Sequence, residues 1–358
     1  MVEWLAGNRI RGTSTERTST SGFNPIPAEA GGWKELGRTT LGSAGDTITV
    51  SSLPDKQYYM LLTDNRPSGN LNVGHRAGNG SIDTGSNYAK RPSINGASDI
   101  THHVNNNNFL ETDGLNHTDN MFSVNYLSNK SDKEKLGIGH SVRQNTAGAG
   151  NAPNRTEYVG KWANTSNVID TLATVNFGTG DLASGSELVV LGWDEDDTHT
   201  DNFWEELASV ELGSAGDTIN SGTITAKKYL WVQIFKKGSG DCSCDVNFNS
   251  DTGSNYARRG SSNGGSDFTQ QNSAVILSPN NTDNDFVNMF IVNNSANEKL
   301  IIAHIVDRNT AGAGNAPDRM EIVSKWVNTS SQITSIDVNN SASGDFDTGS
   351  ILKVWGSD

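Results

Sequence analysis

The chain has 358 residues, of which 34% are hydrophobic and 19% charged, with a mean hydropathy of −0.53 and a formal net charge of −14. That acidity speaks against binding a nucleic-acid backbone, which needs clustered Lys and Arg, and no run approaches the ~18 apolar residues of a membrane span. Two cysteines, Cys242 and Cys244, are too few for a disulfide framework, while 38 glycines among many Asn, Ser and Thr point to short strands joined by polar turns.

In chain order, residues 1–31 are rich in Thr, Ser, Gly and Arg and lack strand periodicity, so they are read as an extended N-terminal arm. Glu3 comes early and no apolar core follows it, so no secretory signal is expected. Trp4, Arg9, Arg11 and Arg17 are the candidate contacts of an arm that docks on a partner surface.

Residues 32–194 are predicted to form a β-sandwich. "QYYMLL", "MFSVNYL", "KLGIGHSV", "EYVGKW" and "SELVVLG" read as short strands between turn signals. The alternation puts Phe122, Val124 and Tyr126 on one strand face, and Leu136, Ile138, His140 and Val142 on another. Residues 195–202, "EDDTHTDN", follow as an acidic linker; calcium is the rival reading of this run, though its spacing matches no EF-hand loop.

Residues 203–358 repeat what came before. "WKELGRTTLGSAGDTI" (Trp33–Ile48) returns as "WEELASVELGSAGDTI" (Trp204–Ile219), and "DTGSNYAKR" from Asp83 as "DTGSNYARR" from Asp251. "KLGIGHSV" returns as "KLIIAHIV", with Leu300, Ile302, His304 and Val306 on one face, and "KWANTS" from Lys161 as "KWVNTS" from Lys325. "NTAGAGNAP" stands unchanged at Asn145–Pro153 and Asn309–Pro317. A module of about 160 residues is too long for a solenoid repeat, so each copy is a domain. About eight strands per copy and no amphipathic helix predict an all-β chain: two tandem homologous jelly-roll-like β-sandwiches behind an extended arm.

Duplication also filters the chemistry, since a residue needed in both copies should occur in both. "GSSNG" (Gly260–Gly264) fits the nucleophile-elbow pattern, but Ile94 stands where Ser262 does. The cysteines do not recur and are read as surface or edge thiols. His140 and His304 recur on an apolar face, as core or interface histidines. Trp162 and Trp326 recur too; core packing is the plain explanation and a sugar-stacking platform its functional rival. Arg155 and Arg319, two residues beyond "NTAGAGNAP", join them as candidate glycan or interface contacts. No catalytic residues, metal ligands or cofactor motif emerge, and the chain is not read as an enzyme.

"NTAGAGNAP" itself holds no acid, base or nucleophile. Gly148 and Gly150 permit φ > 0 and Pro153 fixes the exit, so its identity in both copies predicts a constraint of shape, such as packing against the adjacent domain or subunit.

The closing phrase "WANTSNVIDTLATVNFGTGDLASGSELVVLG", with Phe177, Gly185, Ser186 and Gly192, is echoed by Phe346, Gly349, Ser350, Trp355 and Gly356, with Leu191 in place of an aromatic in the first copy. Together with "DTGSNYA" it resembles β-rich virion structural proteins of tailed bacteriophages, tail-fibre-like or capsid-associated. The resemblance covers both domains and leaves out residues 1–31. It implies a virion location with assembly in the host cytoplasm, other virion proteins as partners, homo-oligomers, and attachment to a host-surface glycan. A carbohydrate-binding adhesin and a cellular surface-filament subunit that donates a strand are the alternatives.

Overall fold

The computed structural model describes residues 32–358 apart from 102, 112–115, 195–196 and 198–200, so the arm with Trp4, Arg9, Arg11 and Arg17, and most of the acidic linker, lie outside the described residues. Every strand pairing is antiparallel, as short alternating runs separated by tight turns require.

The first repeat supplies β1 (Lys34–Thr40), β2 (Thr47–Val50), β3 (Tyr58–Asn65), β4 (Val73–Asn79), β5 (Ser81–Ile82) and β6 (Tyr88–Ile94). It continues with β7 (Phe109–Glu111), β8 (Met121–Ser128), β9 (Lys135–Arg143), β10 (Asn154–Trp162), β11 (Thr171–Asn176) and β12 (Glu187–Trp193). A seven-stranded sheet runs β1-β12-β3-β8-β9-β10-β6, and a smaller one runs β2-β11-β4-β5 with β7 also on β4.

The second repeat supplies β13 (Glu205–Glu211), β14 (Thr218–Asn220), β15 (Tyr229–Lys236), β16 (Gly238–Ser239), β17 (Cys242–Phe248), β18 (Tyr256–Ser262) and β19 (Phe268–Asn272). Then come β20 (Val275–Asn281), β21 (Asp285–Val292), β22 (Lys299–Asp307), β23 (Asp318–Trp326), β24 (Ile336–Asn339), β25 (Asp345–Phe346) and β26 (Ile351–Ser357). Its large sheet runs β13-β26-β15-β21-β22-β23-β18-β19, its small one β14-β24-β17-β20, with β16-β25 as a separate ribbon. Strands outnumber the eight expected per copy because two-residue pieces such as β5, β16 and β25 carry no periodicity to read.

In each repeat the first strand pairs with the last, β1 with β12 and β13 with β26, so each sandwich closes on its own ends. One core lies inside the first sandwich around Tyr59, Leu61, Tyr88, Trp162 and Leu188; a second lies inside the other around Val232, Cys244, Phe248, Tyr256 and Trp326. Cys242 and Cys244 are therefore core residues, not surface or edge thiols: β17 lies between β24 and β20 in the small sheet, and both thiols are buried and free.

The shared phrases are the fasteners of this fold. In "DTGSNYA", Asp83 accepts from Gly85 N at 2.8 Å, Asn87 Nδ2 at 2.9 Å and Trp162 Nε1 at 2.8 Å. Asp251 repeats the set with Gly253 at 2.9 Å, Asn255 at 3.0 Å and Trp326 at 2.8 Å. In the closing phrase, Ser186 Oγ accepts Arg66 N at 3.0 Å and Ser350 Oγ accepts Lys237 N at 3.0 Å. The true partner of Phe346 is Leu182, not Phe177: Leu182 bridges Gly45 as Phe346 bridges Gly216, while Phe177 lies under the Arg76 guanidinium. A Cβ at Gly356 would stand 2.6 Å from the Leu207 methyl. Gly356→Ala is accordingly expected to cost about 1–3 kcal/mol by overpacking, read as a lower urea midpoint at unchanged m-value.

Candidate functional site

The outer faces of the two large sheets pack against each other. Alternation sends Leu61 and Leu188 into the first core and their neighbours Leu62 and Val189 outward, where Met60, Phe122, Val124, Val142 and Leu191 join them. From the second repeat come Phe203, Trp204, Tyr229, Phe290, Val292, Leu300, Ile302 and Val323. Covering both faces of a sheet is why "YYMLL" and "LVVL" read as unbroken apolar runs.

The histidine faces thus belong to this interface and not to the sandwich interiors. On β9 the inward residues are Gly137, Gly139 and Ser141, with Gly139 leaving room for the Tyr158 ring; Leu136, Ile138, His140 and Val142 point out. The His140 and His304 rings meet across the interface with centroids 4.2 Å apart. Around them lie Arg155, Glu157 and Glu321, enclosing a cavity of about 10 Å³, room for at most one water. The cluster therefore packs and pairs, with no volume for a substrate.

Three polar clamps flank the apolar contact. Gly148 N donates to Glu298 Oε1 at 2.6 Å, and Lys325 Nζ donates to Gln144 O at 3.2 Å and Thr146 O at 2.6 Å while pairing with Glu298 at 3.2 Å. Arg155 Nη2 donates to Asp267 Oδ1 at 2.8 Å with both side chains nearly buried, and Arg259 Nε donates to Pro153 O at 2.8 Å. At the far end, Lys228 and the Tyr229 hydroxyl donate to Glu187 at 3.0 and 2.9 Å.

The first "NTAGAGNAP" is therefore a docking loop. Its shape is set by Asn145 at φ 61° and Gly148 at φ 91°, and by Asn145 Nδ2 donating to Ala152 O at 2.9 Å; Gly150, expected to share the left-handed role, does not adopt it. The second copy folds alike, with Asn309 at φ 55°, Gly312 at φ 100° and Asn309 Nδ2 on Ala316 O at 3.2 Å, yet it is exposed from Thr310 to Pro317.

Of the candidate contacts, Arg155 lies in the interface and Arg319 is exposed on the matching face of the second repeat. Trp162 and Trp326, each 1% exposed, are core residues and offer no face to a sugar. Of the linker, Asp197, Asp201 and Asn202 are described; Asp197 pairs with Lys56, as does Asp194 just before it.

Burial lowers the imidazole pKa values, with neighbouring charge adding to it at the interface. His140 drops to about 3 through desolvation, then His304 and Arg155; His304 drops to about 4 through desolvation, then Arg155. His75, buried in the first core, drops to about 4 through desolvation. Unfolded imidazoles bind protons near 6.5 and the folded ones do not, so acid favours the unfolded chain. Stability is expected to be full above pH 6.5 and to fall toward pH 4 by up to about 1.4 kcal/mol per pH unit for each such histidine. Denaturation midpoints from pH 7.5 to 4.5 measure this, and His304→Asn should flatten the slope.

No known family and no curated protein matches this sequence. Among solved structures the chain is similar to the LG1-3 region of the laminin alpha2 chain, at 10% identity and TM-score 0.21, covering 87% of this chain. It spans 64% of that region's length. It is also similar to domains LG4-5 of the mouse laminin alpha1 chain, at 11% identity and TM-score 0.20, covering 92% of this chain and 90% of that one. Likeness at this level carries no argument about function.

Proposed function

We propose that this chain is a non-enzymatic structural subunit of a larger particle: in the terms of its sequence resemblance, a tailed-phage virion protein of an appendage or the capsid surface. One observation supports the reading above others. The residues that both repeats keep are used to hold turns, fill cores and dock sheets, as Asp83 and Trp162, Asp251 and Trp326, and "NTAGAGNAP" do. Two sandwiches locked face to face make a stiff projecting element, and residues 1–31 would anchor it. Deleting residues 1–31 is expected to leave both sandwiches folded and to abolish incorporation into particles, scored by electron microscopy; incorporation without them would refute the anchoring.

A second reading, a glycan-binding adhesin, draws on Tyr58. It is 38% exposed, stacks on Trp193 with centroids 5.7 Å apart, and rims an open cleft of about 490 Å³ with Asn129, Glu134 and Leu136. A glycan array in which Tyr58→Ala loses binding without unfolding would favour it.

A further inference from the structure

The docking of the two repeats is one-sided. Along the outward face of β9, Leu136 and Ile138 are 57% and 54% exposed, His140 is half-buried and Val142 is 0% exposed. Along the equivalent face of β22 the order reverses: Leu300 and Ile302 are 1% and 2% exposed, His304 is half-buried and Val306 is 41% exposed. The sheets have slid past a symmetric arrangement, so the first repeat engages with its loop half and the second with its opposite half. Such a contact is heterologous, and it leaves a complementary half open on each repeat.

What lies open is what would be needed to make the contact again. Among the described residues, seven of the eight exposed large hydrophobics fall on these two halves: Tyr58, Leu136, Ile138 and Val159 on the first repeat, Phe235, Phe286 and Val306 on the second. The polar clamps survive as well. Arg155 with Asp267 has its counterpart in Arg319 and Asp99, 63% and 53% exposed. Lys325 with Glu298 has Lys161 and Glu134, 44% and 39% exposed, and the docked loop has its exposed twin at Asn309–Pro317. Arg259, which holds Pro153, has Arg91, 54% exposed, to hold Pro317. Where the internal contact uses Glu187 with Lys228 and Tyr229, the open halves offer Ile351 and Phe235 opposite Gln57 and Tyr58, an apolar replacement at the same end.

We propose that the open half of the second repeat binds the open half of the first repeat of another copy, so that chains assemble head to tail with the intermolecular contact reproducing the internal one. This accounts for "NTAGAGNAP" being kept twice: one copy docks within the chain and the other between chains. It stands independently of the virion reading.

The test needs no particle and uses the full chain at rising concentration in analytical ultracentrifugation. Wild type should associate progressively. Leu136→Asp blocks only the first repeat's half and Val306→Asp only the second's; both sites are exposed, so both variants should keep the wild-type thermal midpoint and remain monomeric alone. Mixed, they retain one intact half each and should form a one-to-one dimer that grows no further. Wild type that stays monomeric at the highest attainable concentration, either variant that associates as wild type does, or a mixture that stays monomeric would overturn the proposal. A monomeric wild type that loses glycan binding with Tyr58→Ala would assign this face to the adhesin reading instead.

Discussion

Asp285→Ala is expected to destabilise the second sandwich by about 3–5 kcal/mol, because it strands a buried ammonium. Cross-strand neighbours Lys236 on β15 and Asp285 on β21 form an ion pair of 2.8 Å with both side chains 0% exposed. Lys236 Nζ would keep neutral acceptors alone among its described hydrogen-bond partners, Cys242 O at 3.1 Å, Asn281 Oδ1 at 2.8 Å and Ser278 Oγ at 3.5 Å. At the same register the first repeat pairs Asn65 with Met121. The double variant K236N/D285M copies that solution and is expected to recover more than half of the loss, since replacing a buried pair is far milder than breaking it. Urea denaturation of K236N, D285M and the double variant closes the cycle; losses that simply add would show the two residues to be uncoupled.

Trp326→Ala should cost a similar amount, about 3–5 kcal/mol, through the cavity it leaves. The indole packs against Phe248 and Tyr256 with centroids 5.8 and 6.4 Å away, and its Nε1 donates to Asp251. Burial alone would raise the Asp251 carboxyl; the hydrogen bonds from Trp326, Gly253 and Asn255 hold it below the ordinary value. Trp326→Phe keeps most of the ring but removes the donor, for a smaller loss of about 1–3 kcal/mol. Calorimetry should show the second sandwich melting earlier in both variants, in that order. Retention of wild-type stability in Trp326→Ala would contradict its place in the core.

Several elements were legible in the residues alone. Strands β3, β8, β9, β10 and β12 stand where short apolar runs between turn signals predicted them: period two shows in β9, where one face is partly open, and gives way to continuous runs in β3 and β12, where both faces are buried. The recurrence of "DTGSNYA" and of the closing Gly-Ser was legible as well, because it takes only the comparison of two stretches of one chain. Burial of the cysteines was not legible: a single strand carries no mark of whether it will sit at an edge or between two neighbours. Core packing, the plain reading of Trp162 and Trp326, is what the structure shows, while their rival reading as glycan contacts fell because recurrence alone does not tell a buried indole from a binding one.

The duplication, the all-β class and the membership of each strand face follow from sequence, because they depend on local periodicity and on likeness between two stretches of one chain. The tertiary structure decided which face turns inward and how the repeats dock. Two near-identical faces can pack symmetrically or slide, and each offers the same residues in either case. Only the packed structure separates Leu300, buried, from Leu136, exposed, and the first "NTAGAGNAP", docked, from the second, open.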